Sequence, residues 1–200
     1  QMCIRDSPLK YSIVSSLKRL GGSWNIREDD FFLFYFIGHG FGSKDGDEIL
    51  MMDTYFDLLE ETAISIAFLT QLIRENRAGR KLMVFDSCRN EVDGRLGLCD
   101  GLGVKPVREF TTLYACRPRE QAYIPRGEEL PLLTNGFIRA VKDRDCISVQ
   151  DMFTTITDFV DDKAKDINVT QHPEIVSIDR DIREIGFLSR EITVKTSRSF

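Results

Sequence analysis

The sequence has little histidine: two residues in 200, His39 and His172. It has five cysteines (Cys3, Cys88, Cys99, Cys116 and Cys146) but no Cys-x-x-Cys pair. An odd count at irregular spacings argues against a disulfide framework, and the missing pair argues against a structural zinc site. The thiols are therefore expected to be mostly free, in a reducing compartment, with a cytoplasmic location. Positive charge is in the minority, 27 Lys and Arg against 32 Asp and Glu, for a net charge of −5. That balance argues against nucleic acid or an anionic membrane as the main partner. No apolar run approaches the ~18–20 residues of a membrane span. The longest, FFLFYFI at 31–37, has strand length.

Core material is plentiful. Hydrophobic residues make up 42% and charged residues 30% of the chain, the balance of a soluble globular domain. QMCIRDS at 1–7 has no apolar centre, so it is not a signal peptide and reads as a non-native leader. The domain is expected over 8–178. Residues 179–200 are charged and without strong period, and read as a tail or extension.

Leu9, Ile13, Leu17 and Leu20 recur at helical spacing up to Gly21-Gly22, which predicts a helix over 9–20. FFLFYFI then reads as a strand buried on both faces, as in a parallel sheet. A Lys-Asp-Gly turn at 44–46 followed by a short apolar run predicts a small hairpin or a strand after the loop. A helix is expected at about 64–77, stopped by Gly79. KLMVFD (81–86) is the next strand, 89–108 a mobile loop, and FTTLYAC (110–116) another strand. Helices follow at 132–143 and 149–165, then a proline-started edge strand at 171–178. Strands alternating with helices give an α/β domain with a mainly parallel sheet. Such a sheet ordinarily begins with a strand, whereas this chain begins with a helix, so either the sheet is small or N-terminal strands are missing, the second being the expectation.

Both apolar strands end in chemistry. FFLFYFI runs into Gly38-His39-Gly40, and KLMVFD into Ser87-Cys88. Ligands bind beyond the carboxyl ends of parallel strands, so two adjacent strands would bring His39 and Cys88 to one rim. A thiol needs a nearby base or cation to ionise near neutral pH, and imidazole is the usual one. Glycines beside His39 free the N–H of Gly40, which with the N–H of Cys88 can bind an oxyanion. Read alone, Cys88 is more often a small core residue than a nucleophile. A redox thiol is a further reading that needs a resolving cysteine nearby.

FFLFYFIGHG followed by VFDSCRN resembles the caspase-like cysteine peptidases, including metacaspases and paracaspases. The histidine precedes the cysteine by about 50 residues in caspases, and His39 precedes Cys88 by a similar interval. DGDEILMMDT, TTLYACRPREQAY, LTNGFIRAV and QHPEI resemble later segments of that family in the same order, over about residues 9–178. The resemblance implies a three-layer α/β/α fold and peptide hydrolysis through a thioester. Cys88 would be the nucleophile, His39 the proton carrier, and Gly40 and Cys88 the oxyanion donors.

Asp86 shares a strand face with Cys88. Caspases proper have glutamine at this position and cut after aspartate, whereas the aspartate here resembles the relatives that cut after Arg or Lys. The alternative is that Asp86 caps a helix start. Ile37 stands where many metacaspases have serine. Ile124 stands where many relatives have an acid, with Glu120 the candidate substitute.

Asp45, Asp47, Glu48 and Asp53 lie where some metacaspases respond to calcium. The pattern is not an EF-hand loop, so a solvated turn, no metal and no cofactor are expected. Arg95, Lys105 and Arg108 are candidate self-cleavage sites in a solvated loop. His172, Cys99, Cys116 and Cys146 read as structural. The expected partner is a protein or peptide substrate. Monomer and homodimer both stay open, as does a caspase-like pseudo-enzyme or interaction module.

Overall fold

The computed structural model describes residues 8–22, 25–43, 46–90, 110–142, 146–177 and 186–188. Helix α1 (Lys10–Gly21) leads into strand β1 (Phe31–Ile37). Strands β2 (Gly40–Ser43) and β3 (Gly46–Ile49) form the expected hairpin, with Gly46 at φ +125° in the conformation glycine favours. A 3₁₀ turn (Phe56–Leu58), the short helix α2 (Leu59–Thr62) and the two-residue strand β4 (Ile64–Ser65) precede α3 (Ile66–Arg74). Then come β5 (Arg80–Asp86), β6 (Phe110–Tyr114), α4 (Leu132–Val141), β7 (Cys146–Ser148), α5 (Val149–Asp166), β8 (Glu174–Ser177) and β9 (Gly186–Leu188).

The central sheet has the order β1-β5-β6-β8. β1, β5 and β6 run parallel, and β8 closes the sheet antiparallel. Alternation along the strands supplies both faces. Leu82, Val84, Leu113 and Ala115 pack with α4 and α5. Met83, Phe85, Phe110 and Tyr114 pack on the other side with α1 and α3. The result is the expected three-layer α/β/α arrangement. Full burial of each large apolar side chain contributes roughly 1.5–3 kcal/mol.

Two helix starts follow from local sequence. Ser65 accepts the Phe68 N–H at α3, and Ser148 accepts the Asp151 N–H at α5. α4 has Pro131 at its start, which offers no side-chain cap.

Several expectations need correction. β1 is an edge strand, hydrogen-bonded only to β5 among the described residues, and most of it is half-buried where burial on both faces was expected. Gly79 does not stop α3, which ends at Arg74. Its role is close approach: a Cβ there would overlap the carbonyl oxygen of Glu28, which accepts the Gly79 N–H at 2.9 Å. Gly186–Leu188, in the stretch expected as a tail, pairs antiparallel with β7. The predicted loop at 89–108 lies almost wholly outside the described residues, including Arg95, Cys99, Lys105 and Arg108. So do Cys3, Asp45 and the side chain of Cys146. Among the described residues no helix is long and apolar enough to cross a membrane.

Candidate active site

The β1–β5 register carries the site. Ile37 pairs with Asp86, and Gly38 N–H donates to Asp86 O at 3.2 Å. His39 and Cys88 then follow at equal distance along the chain, two residues past the last paired positions. They leave the sheet at the same rim. His39 is exposed, and its carbonyl accepts the N–H of Leu50 at 2.9 Å. Cys88 is half-buried, with Sγ 3.7 Å from the carbonyl oxygen of Ala122. Among the described residues no hydrogen bond joins the imidazole to the thiol.

The glycines of the His39 loop have a specific use. A Cβ on Gly40 would lie 2.9 Å from Cys88 O, and one on Gly42 would lie 3.1 Å from Arg89 O. Only glycine lets the hairpin approach that closely. The Leu50-to-His39 bond puts Gly40 at a non-hydrogen-bonded position of the β2–β3 ladder. Its N–H therefore faces away from β3, towards the Cys88–Asn90 segment, as that of Gly42 does in donating to Asn90 O at 3.2 Å.

Asp86 is 2% exposed and belongs to the face packed on α4. Its Oδ2 accepts the N–H of Thr134 at 2.9 Å and also the Thr134 hydroxyl. Thr134 is the third residue of α4, so the strand-end carboxylate supplies the cap that Pro131 lacks. Tyr35 OH completes the group, 3.0 Å from Thr134 Oγ1. Oδ1 of Asp86 is buried without a partner. Burial raises the Asp86 pKa to about 6, against the opposing hydrogen bonds from Thr134. Burial, with the neighbouring Asp86 charge, also raises that of Tyr35.

The residue after Cys88 is the centre of a buried ionic group. Arg89, 3% exposed, donates from Nε and Nη2 to Asp47 Oδ2 at 3.1 and 2.8 Å. Its Nη1 reaches Cys116 O at 3.1 Å and Glu174 Oε2 at 2.5 Å, and its guanidinium carbon lies 4.1 Å from the Tyr114 ring centre. Burial opposes its charge, but the two carboxylates outweigh that and hold Arg89 protonated. This overturns the solvated-turn reading for Asp47, which is 8% exposed and shares a strand face with Ile49. Asp53 instead accepts the backbone N–H of Lys10 at 2.9 Å. Among the described residues no cluster of metal-ligating side chains occurs.

The Glu120 carboxylate is committed to His172 and Arg117. It accepts the His172 N–H at 2.9 Å, meets His172 Nδ1 at 2.8 Å, and accepts Arg117 N–H at 3.2 Å. His172 thus has a structural partner. Cys116 is a buried free thiol directed at Ser87 O (3.5 Å) and Glu120 O (3.4 Å), and burial pushes it up to about 12. A groove of about 760 Å³ beside α4 and α5 is lined by Ile138, Arg139 and Phe159 among others, but by neither His39 nor Cys88.

Comparison with protein families decides the relationship. The model described as "Peptidase C14: Caspase domain" matches residues 4–182. The chain belongs to that family. A search of curated proteins returned no match. The caspase domain so defined is a cysteine-peptidase domain at family level, and its mixed α/β fold with a mainly parallel sheet agrees with that membership.

Sequence reasoning did not find Arg89, Asp47, Thr134 or Tyr35. Asp47 left a signal: an acid two residues before a buried Ile49 falls on the inward face of its strand and needs a partner. Thr134 and Tyr35 leave none, because their use depends on α4 docking over the end of β5.

Proposed function

We propose that this caspase domain is a cysteine endopeptidase that cuts after Arg or Lys. The observation that supports it most is the parallel β1–β5 register, which delivers His39 and Cys88 to one rim with the Gly40 backbone against Cys88. In this reading Cys88 Sγ attacks the scissile carbonyl carbon. The N–H groups of Gly40 and Cys88 hold the oxyanion, each worth roughly 3–4 kcal/mol to the transition state. His39 takes the thiol proton and passes it to the leaving amine, so the C–N bond breaks and a thioester remains. Water then cleaves the thioester, releasing the acid and restoring the thiol. The imidazole and thiol are not hydrogen-bonded without substrate, which is common in unliganded sites.

The basic preference rests on Asp86. One oxygen is used by α4 and the other is buried with no donor. A guanidinium or ammonium from substrate would supply that donor and a countercharge. No cofactor has a part in this scheme.

Fluorogenic peptides ending in Arg, Lys or Asp, incubated with and without calcium beside a Cys88→Ala control, test the proposal. Cleavage after Arg or Lys that vanishes in Cys88→Ala is the expected result. Cleavage after Asp refutes the pocket assignment. No Cys88-dependent cleavage of any peptide refutes the peptidase and favours a pseudo-enzyme.

A further inference from the structure

We infer that the Asp47–Arg89 ion pair is a positioning clamp, fixing the hairpin that carries His39 against the segment that carries Cys88. The inference rests on the peptidase reading of these two residues. Asp47 lies on β3 opposite Gly42 of β2, and β2 begins one residue after His39. The Leu50-to-His39 bond closes the base of the same hairpin. Arg89 follows Cys88 directly.

The backbone alone fixes this junction weakly. Gly40 and Gly42 approach Cys88 O and Arg89 O closely, yet they carry no side chain to interlock. Among the described residues the main-chain link across this junction is Gly42 N–H to Asn90 O, at 3.2 Å. Two glycines against two carbonyls give close contact without a side-chain interlock beyond the end of the β1–β5 ladder. The side-chain pair supplies one. Two guanidinium N–H groups converge on Asp47 Oδ2, at 3.1 and 2.8 Å. The guanidinium is itself held from elsewhere, by Cys116 O at the end of β6, by Glu174 on β8 and by the Tyr114 ring. Asp47 therefore docks on a fixed cation, and that contact holds the hairpin that follows His39 against the segment that carries Cys88, past the point where the β1–β5 ladder ends. Arg89 and Asp47 touch neither thiol nor imidazole, so both are positioning residues.

The experiment alkylates the full chain with iodoacetamide from about pH 5 to about pH 9, spanning the ordinary histidine and cysteine values. Mass spectrometry follows the Cys88 peptide, and Arg-peptide hydrolysis is measured alongside. His39→Ala defines the profile of an uncoupled thiol. Asp47→Asn is expected to shift the Cys88 profile towards that of His39→Ala. It should also lower kcat roughly 10- to 100-fold with KM within about twofold, the scale of an ångström-sized misplacement. Glu174→Gln removes the same charge from the same guanidinium but leaves the hairpin link, so it should retain the wild-type profile. Where Asp47→Asn fails to fold, Arg89→Lys, which keeps the charge and loses the fork, is read the same way. A profile that His39→Ala moves and Asp47→Asn does not refutes the clamp alone. Where His39→Ala leaves both the profile and kcat unmoved, the dyad is refuted, and the clamp with it; where it lowers kcat alone, a wild-type kcat in Asp47→Asn refutes the clamp.

Discussion

Replacing Asp86 by Asn should change how stability depends on pH, and by an amount the structure sets. Burial lifts the folded-state pKa of Asp86 from an ordinary 3.8 to about 6. Because the folded value is the higher one, protonation favours the fold. That stabilisation is fully present below about pH 4 and is lost as pH rises through about 6. At about 1.4 kcal/mol for each tenfold change in proton affinity, the loss amounts to about 3 kcal/mol. Asn is neutral throughout, and its carbonyl oxygen can still accept from Thr134 N–H. Its absolute stability carries an unknown offset from the amide group at the Oδ1 position, but that offset does not titrate. Urea unfolding followed by circular dichroism, on both proteins from about pH 4 to about pH 8, isolates the effect, since other carboxylates cancel in the difference. The Asp86→Asn variant should gain on the wild type by about 3 kcal/mol across that range. A difference flat to within about 0.5 kcal/mol would show that Asp86 ionises as if exposed, and the buried-acceptor argument would fail. The same titration bears on catalysis. KM for an Arg peptide should fall as pH rises through about 6 in the wild type, and should be independent of pH in that range for Asp86→Asn.

Gly42→Ala places a methyl 3.1 Å from Arg89 O; hydrolysis should fall at least tenfold while the melting temperature drops modestly, and unchanged turnover would mean the hairpin need not sit so close. Tyr114 OH is buried with no hydrogen-bond partner, so Tyr114→Phe should be neutral or stabilising by up to about 1 kcal/mol in chemical denaturation; a loss above about 2 kcal/mol would reveal a partner for the hydroxyl. For Glu120, burial acts to raise the pKa, but the bonds from His172 and Arg117 outweigh it and hold it low. Glu120→Gln should therefore cost stability above about pH 4.5, with the difference closing as pH falls further, as paired denaturation curves would show.

The sequence made the frame legible where local chemistry decides it. The apolar runs at 31–37 and 81–86 could only be strands of a layered sheet. Ser65 and Ser148 mark their helices through caps that need no distant partner. The His39 and Cys88 exits followed once those strands were taken as parallel neighbours. What stayed hidden depends on residues far apart in the chain. Asp47 looked like a solvated turn because its cation lies 42 residues away. Asp86 offered two readings, cap or pocket acid; Oδ2 caps α4, while Oδ1 is buried without a partner, and only the proposed basic side chain of a substrate would give it one. The edge position of β1 was illegible because FFLFYFI is apolar enough for a central strand, and composition does not record how many neighbours a strand has.

The ionic group around Arg89 also bears on when the site is completed during synthesis. Its members are spread over the chain: Asp47, Arg89, Cys116 and Glu174, with the last 85 residues beyond the arginine. A nascent chain that has emerged only as far as β6 already contains His39, Cys88 and Asp47. It lacks α4 over Asp86 and Glu174 beside Arg89. Domains generally fold as units once their parts are available, so Cys88 is synthesised long before the residues that complete its surroundings. A ribosome-bound chain would therefore complete the Arg89 ionic group only when β8 docks.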